Sequence, residues 1–255
     1  EYLFKHKIWE QKNISLVQNY LVKNFKNTDI SDWAFQNLKA PLSDKWFDLL
    51  KRSFKSKPTS SNKKLLAWCC FEKGIYFEPL EEEIANIGMQ NKNTRLKAVD
   101  ILLRSKKPTP QTVKLFCLSS SECPSNELIL IFLIQHLEDE KLLHTLVSAR
   151  NINENLISEF FSRWKKSTPS DLNLVVRVLQ QSLSLGLSLS KNELKIFSSL
   201  RDQKVLFWLA SLGFVSENFE LVQDLIGRMD KKIKSYFEYK MNLHFSNKKY
   251  DFLKN

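Results

Sequence analysis

The stretch 206–232, LFWLASLGFVSENFELVQDLIGRMDKK, decides how this chain is read. Leu206, Leu209 and Ala210 recur at three- and four-residue steps, as do Phe219, Val222 and Ile226, so each run carries one apolar stripe when wound as an α-helix. A short turn around Gly213–Ser216 separates the runs, and Arg228, Lys231 and Lys232 close the stretch with positive charge. A hairpin this small cannot bury its own apolar faces, so it needs a neighbour of similar make.

Working outward, helix-boundary signals are frequent. TPQTVKLF places Thr109 as N-cap with Pro110 at the first helical position, and TPSDLNLVVRVL repeats the pattern with Thr168, Pro169 and Asp171. SKNELKIF is a capping box from Ser190 to Glu193. Pro79 and Pro124 open further periodic runs, and Gly74, Gly186 and Gly213 sit where runs stop, as helix C-caps would. These marks predict helices near 13–26, 29–39, 43–55, 61–73, 78–89, 93–105, 110–118, 125–138, 139–149, 152–166, 170–184, 190–199, 201–212, 217–228 and 231–244. SLSLGLSLS, 182–190, alternates with period two, yet no second strand is available to pair with it. It is read as a helix end, a Gly186 cap and a short exposed link.

First helices of successive pairs fall near 29, 61, 93, 125, then 170, 201 and 231, with one extra helix inserted at 152–166. A step of about 32 residues predicts an all-α chain: an α-solenoid of stacked helical hairpins forming a single domain over 1–255. Composition agrees. The 255 residues include only five glycines, against roughly 7% in average proteins, which counts against the large α/β enzyme folds with their glycine-dependent turns.

The opening stretch resembles a pentatricopeptide repeat, with matching positions at Leu206, Leu209, Gly213, Leu221, Leu225 and Met229. A fainter echo is LQQSLSLGLSLSKNELKIFSSL, 179–200, where Gly186 stands at the closing glycine. The chain departs from the family in its shorter period, and it lacks the early tyrosine and asparagine and the proline after the closing glycine. Aligned on Gly213, the resemblance puts Gln203 near the base-reading position. It implies binding of single-stranded RNA along a concave surface, with support of the stability or translation of organellar transcripts in a mitochondrion.

A net charge of +11 points to an anionic partner, nucleic acid before an anionic membrane surface. Basic residues gather in patches: Lys51, Arg52, Lys55, Lys57, Lys63 and Lys64; Arg104, Lys106 and Lys107; Arg163, Lys165 and Lys166 around Trp164; and Arg228, Lys231, Lys232 and Lys234 beside Tyr236 and Phe237. Several patches lie at inter-helix turns, where a phosphate backbone could run and nearby aromatics could stack on bases. Any single lysine is accounted for by solvent at helix ends and the helix dipole. Trp33, Trp46, Trp68, Trp164 and Trp208 lie in apolar stripes and read as core.

No phosphate-cradling glycine loop, nucleophile elbow or His-Glu-x-x-His helix is present, so no enzyme and no cofactor is expected. Glu81–Glu83 lie in the first turn of a helix and read as a solvated face favoured by the dipole. Cys117, Cys123, His136 and His144 follow zinc-finger order, but both pairs are spaced outside the usual ranges, so no metal is expected. The four cysteines, Cys69 and Cys70 among them, read as buried free thiols in a reducing compartment, cytoplasmic or nuclear if not mitochondrial. The longest apolar run, 128–134, is far short of the roughly 20 residues that span a membrane. The first residues, from Glu1, show no secretory or transit pattern, so any leading peptide is expected to lie outside this chain. Two readings follow. The first is an RNA-binding helical-repeat protein. The alternative is an interaction scaffold or subunit of a larger assembly, the ribosome included.

Overall fold

Asn91, Ser190 and Asp202 each aim a side-chain oxygen at the first free N–H groups of the helix that follows, and such caps punctuate the whole fold. The computed structural model describes residues 60–244 apart from 123–125, 149 and 198, together with 47–48, 51–52, 54–55 and 58. The helices expected near 13–26 and 29–39, and most of that at 43–55, lie outside the described residues, as do Trp33 and Trp46. Among the described residues there are twelve α-helices and one 3-10 turn, and no strand. The protein is all-helical.

The chain divides into two compact units, residues 1–122 and 123–255. In the first lie α1 (Ser60–Lys73), the 3-10 turn Glu78–Leu80, α2 (Glu81–Met89), α3 (Lys92–Leu102) and α4 (Pro110–Glu122). Leu65, Leu66, Cys69 and Cys70 of α1 join Leu80, Ile84, Leu102, Leu115 and Phe116 in its core. Helix α2 packs on α1, α3 and α4. At Gly88 an added Cβ would lie 2.5 Å from the Ala98 Cβ, so only glycine admits this approach of α2 to α3.

The second unit holds α5 (Glu127–His136), α6 (Glu140–Ser148), α7 (Glu154–Lys166), α8 (Leu172–Ser184), α9 (Lys191–Lys195), α10 (Gln203–Val215), α11 (Phe219–Arg228) and α12 (Lys231–His244). Packing runs between alternate helices, α5 on α7 and α6 to α8 to α10 to α12, as well as between chain neighbours. Phe160, Phe161, Trp164 and Phe197 form an aromatic cluster with ring centroids 5.3–6.3 Å apart. Edge-to-face contacts of this kind add about 0.5–1.5 kcal/mol per pair beyond burial.

Helices α2, α4, α6, α8, α10 and α12 begin at 81, 110, 140, 172, 203 and 231, steps of 29, 30, 32, 31 and 28 residues. The helix at 154–166 is therefore no insertion: it falls between α6 and α8 as each odd helix falls between two even ones. The expected series changed from odd members to even ones at that point, which made one helix look extra.

Two local expectations shift as well. The α8 N-cap is Asp171, not Thr168, and it accepts from the N–H groups of Asn173 and Leu174. Gly74 (φ +67°) and Gly186 (φ +66°) close α1 and α8 in the left-handed conformation that glycine favours. Gly213 instead lies buried inside α10, where an added Cβ would meet Val222 of α11 at 3.1 Å. The left-handed residue of that turn is Glu217 (φ 56°), flanked by bonds from the Asn218 N–H to the Gly213 carbonyl and from the Glu217 N–H to the Phe214 carbonyl.

Candidate nucleic-acid interface

The basic patches separate into residues that serve the fold and residues that face solvent. Arg163 belongs to the first kind. Its Nη1 donates to the carbonyls of Ile134 (2.8 Å) and Leu137 (2.7 Å), and its Nε lies 3.3 Å from Glu140 Oε1. It ties the end of α5 to α7 and cannot meet a ligand without giving up those bonds. Arg228 likewise donates to the Leu200 carbonyl (2.7 Å) and sits 3.6 Å from Asp224. Gln203, expected near a base-reading position, accepts from the Asp230 N–H at 2.8 Å through Oε1 and thereby positions the start of α12.

Gln203 is one of three first-position residues that do the same task. Glu140 opens α6, is 4% exposed, and accepts from the Trp164 indole N–H (2.9 Å), the Ser170 N–H (2.6 Å) and hydroxyl (3.0 Å), and the Asp171 N–H (2.8 Å). Burial pushes its carboxyl up, but the bonds from Asp171, Trp164 and Ser170 together hold it below its ordinary value. Glu81 opens α2, is 2% exposed, and accepts from the Tyr76 and Ser105 hydroxyls, the Thr109 N–H and the Thr112 hydroxyl at 2.8–2.9 Å. Each latch holds the chain entering the even helix about 30 residues ahead. Glu81 is thus no part of a solvated face. Glu82 alone of the three is exposed, and Glu83 pairs with Lys63 at 2.6 Å.

Of the remaining candidates in the first unit, Arg52, Lys55, Lys64, Arg104, Lys106 and Lys107 are exposed. Lys51 is half-buried with its ammonium 5.4 Å from the centre of the Phe77 ring, and Lys57 lies outside the described residues. In the second unit Lys165 is exposed and 3.8 Å from Glu193, while Lys166 lines an open cleft of about 700 Å³. That cleft also carries Glu138, Glu159 and Arg163, so its charge is mixed.

Helix α12 brings together the densest solvent-facing set. Lys231, Lys232, Lys234, Tyr236 and Tyr239 are exposed, the two tyrosines by 49% and 58%. Phe237 and Met241 point away from the tyrosines and are buried, with Phe237 edge-on to Phe207 of α10 at 5.8 Å, and Lys234 lies on their side of the helix. Phe207 also stacks on Tyr236 at 5.5 Å and 29°, which fixes that ring, and the Lys240 ammonium lies 5.7 Å from the ring centre. Such a surface can do two things at once: attract phosphates and present aromatic faces. Sequence reading named Tyr236 but passed over Tyr239 and Lys240, although Lys232, Tyr236 and Tyr239 stand at i, i+4 and i+7 on one helix face. Of the tryptophans, Trp164 is buried and Trp68 and Trp208 are half-buried.

Cys69 and Cys70 are free and buried; burial pushes both thiols up, Cys70 to about 11. Cys123 lies outside the described residues, and His144 is 3.4 Å from Asp171. Among the described residues no three His, Cys, Asp or Glu side chains converge as a metal site, and no helix is long and apolar enough to cross a membrane. No protein-family model, curated protein or solved structure matches the chain.

Proposed function

We propose that this chain is a non-catalytic RNA-binding protein, a solenoid of helical hairpins of about 30 residues that holds single-stranded RNA by charge and shape. The observation that carries the reading is the exposed face of α12, where Lys231 and Lys232 adjoin Tyr236 and Tyr239. The +11 net charge supplies the long-range attraction. The near-constant spacing of the even helices and the packing of alternate helices support the solenoid. The resemblance to pentatricopeptide repeats adds the setting: mitochondrial transcripts whose stability or translation the protein supports.

The test is a titration of the purified chain with a fluorescent, mixed-sequence single-stranded RNA at 50 and 200 mM salt. With six to ten phosphates contacted, affinity falls by about 10³–10⁵ between these conditions. Absence of binding at the lower salt refutes the reading. A second reading, a subunit that docks a protein partner, draws on the exposed leucines Leu96, Leu118, Leu128 and Leu142.

A further inference from the structure

We infer that α12 engages unpaired bases by stacking on Tyr236 and Tyr239, so that the ligand class is single-stranded nucleic acid bound with little regard to sequence. The inference rests on the RNA-binding reading and deepens it. At about 100° per residue, Lys232, Tyr236 and Tyr239 lie within about 60° of one another on the helix surface, with Ser235 and Lys231 flanking them. No acid falls in this stripe; Glu238 projects to one side and is half-buried.

Phe207 stacks on Tyr236, so the ring is held in place before any ligand arrives, while about half of the residue stays exposed. A base that lands on this ring meets a surface already ordered, and little side-chain entropy remains to be lost. The ammonium of half-buried Lys240 near the same ring makes a cation–π contact weaker than a stacked base, and it is displaced toward the adjoining phosphate when a base arrives. Every base has a π-face, so such a platform does not select by hydrogen bonding. The side chain nearest a code position, Gln203, is occupied by the Asp230 N–H. A double helix hides its base faces inside the stack, so the platform discriminates against duplexes. The stripe lacks aliphatic side chains and is rich in lysine, a residue depleted in the cores of protein interfaces, which favours nucleic acid over a protein occupant.

The experiment compares the full chain with Tyr239→Ala, Tyr236→Ala, Tyr236→Trp and a Lys231/Lys232→Ala double variant. Each is titrated with a mixed-sequence single-stranded RNA and with its duplex, and thermal unfolding is followed in parallel. Tyr239→Ala is expected to weaken single-strand binding about five- to hundred-fold with an unchanged salt slope and an unchanged melting temperature. Tyr236→Trp retains binding, which separates stacking from any loss of fold in Tyr236→Ala. The lysine variant reduces the salt slope by about one per lysine. Wild-type binding that is salt-sensitive but indifferent to both tyrosines, or as tight for the duplex, overturns stacking and leaves RNA binding standing. No binding by the wild type at low salt overturns both and gives this face to another partner.

Discussion

Replacing Glu140 by alanine removes the acceptor for three N–H groups, those of Asp171, Ser170 and the Trp164 indole, of which Asp171 and Trp164 belong to buried residues. Each buried donor left without an acceptor costs about 1–3 kcal/mol. Arg163 loses its carboxylate neighbour but keeps the Ile134 and Leu137 carbonyls. Removal of a desolvated charge offsets part of the loss. The net cost is about 3–5 kcal/mol, the range found when one partner of a buried charged network is deleted. Glu140→Gln keeps one carbonyl oxygen for the backbone donors but turns an amide NH₂ toward donors, so it costs about 1.5–3 kcal/mol, the worth of a hydrogen bond to a charged group. Urea unfolding of the full chain, followed by circular dichroism, reads both. The pH dependence carries its own sign. The folded carboxyl is held below its ordinary value of 4.5, so its stabilisation is fully present above about pH 4.5 and is lost as pH falls through the lower folded value. The wild type therefore loses more stability than Glu140→Gln below pH 4.5. A loss under about 1 kcal/mol for Glu140→Ala, or parallel acid profiles, would refute the latch.

Other expectations are simpler. Glu217→Gly relieves a left-handed φ of 56° and raises stability by about 0.5–1 kcal/mol, seen as a higher urea midpoint at constant slope. Gly88→Ala forces a Cβ against Ala98 and lowers stability by about 1–3 kcal/mol on the same measurement. Ser190→Ala removes a capping box and costs about 1 kcal/mol. In a Cys117→Ser/Cys123→Ser chain, Cys69 and Cys70, buried and with raised thiol pKa, react with a thiol reagent at pH 8 only after urea unfolds the first unit; fast labelling of that native chain would contradict their burial.

Local signals carried most of the helices, because caps and three-four spacing act within a turn or two of the chain. Thr109–Pro110, the Ser190–Glu193 box and the Gly74 and Gly186 closures all stand where the sequence put them. Errors arose where a distant residue decided. Thr168 has the right chemistry for a cap, yet Glu140 accepts the Ser170 and Asp171 N–H groups, and the helix is capped by Asp171 instead. Glu81 looks like an acid placed for a helix dipole until Ser105, Thr109 and Thr112 arrive from 24–31 residues away. Gly213 was legible as a glycine that mattered, but close approach to Val222 cannot be told from a cap without knowing what lies opposite. On the candidate face, the lysines and Tyr236 were visible in sequence. Which patch residues are tied down, as Arg163 and Gln203 are, depends on carbonyls and N–H groups of other helices, and no residue pattern encodes those.

The latches also set an order of events during synthesis. Glu140 finds its partners at Arg163, Trp164, Ser170 and Asp171, and Gln203 finds Asp230, all within 31 residues downstream. At translation rates of about 5–20 residues per second, a buried acid waits only about 2–6 s for the segment that satisfies it. Each such loop can close while the ribosome is still at work on the next, so this part of the chain has little need to wait for its C-terminus before it begins to set.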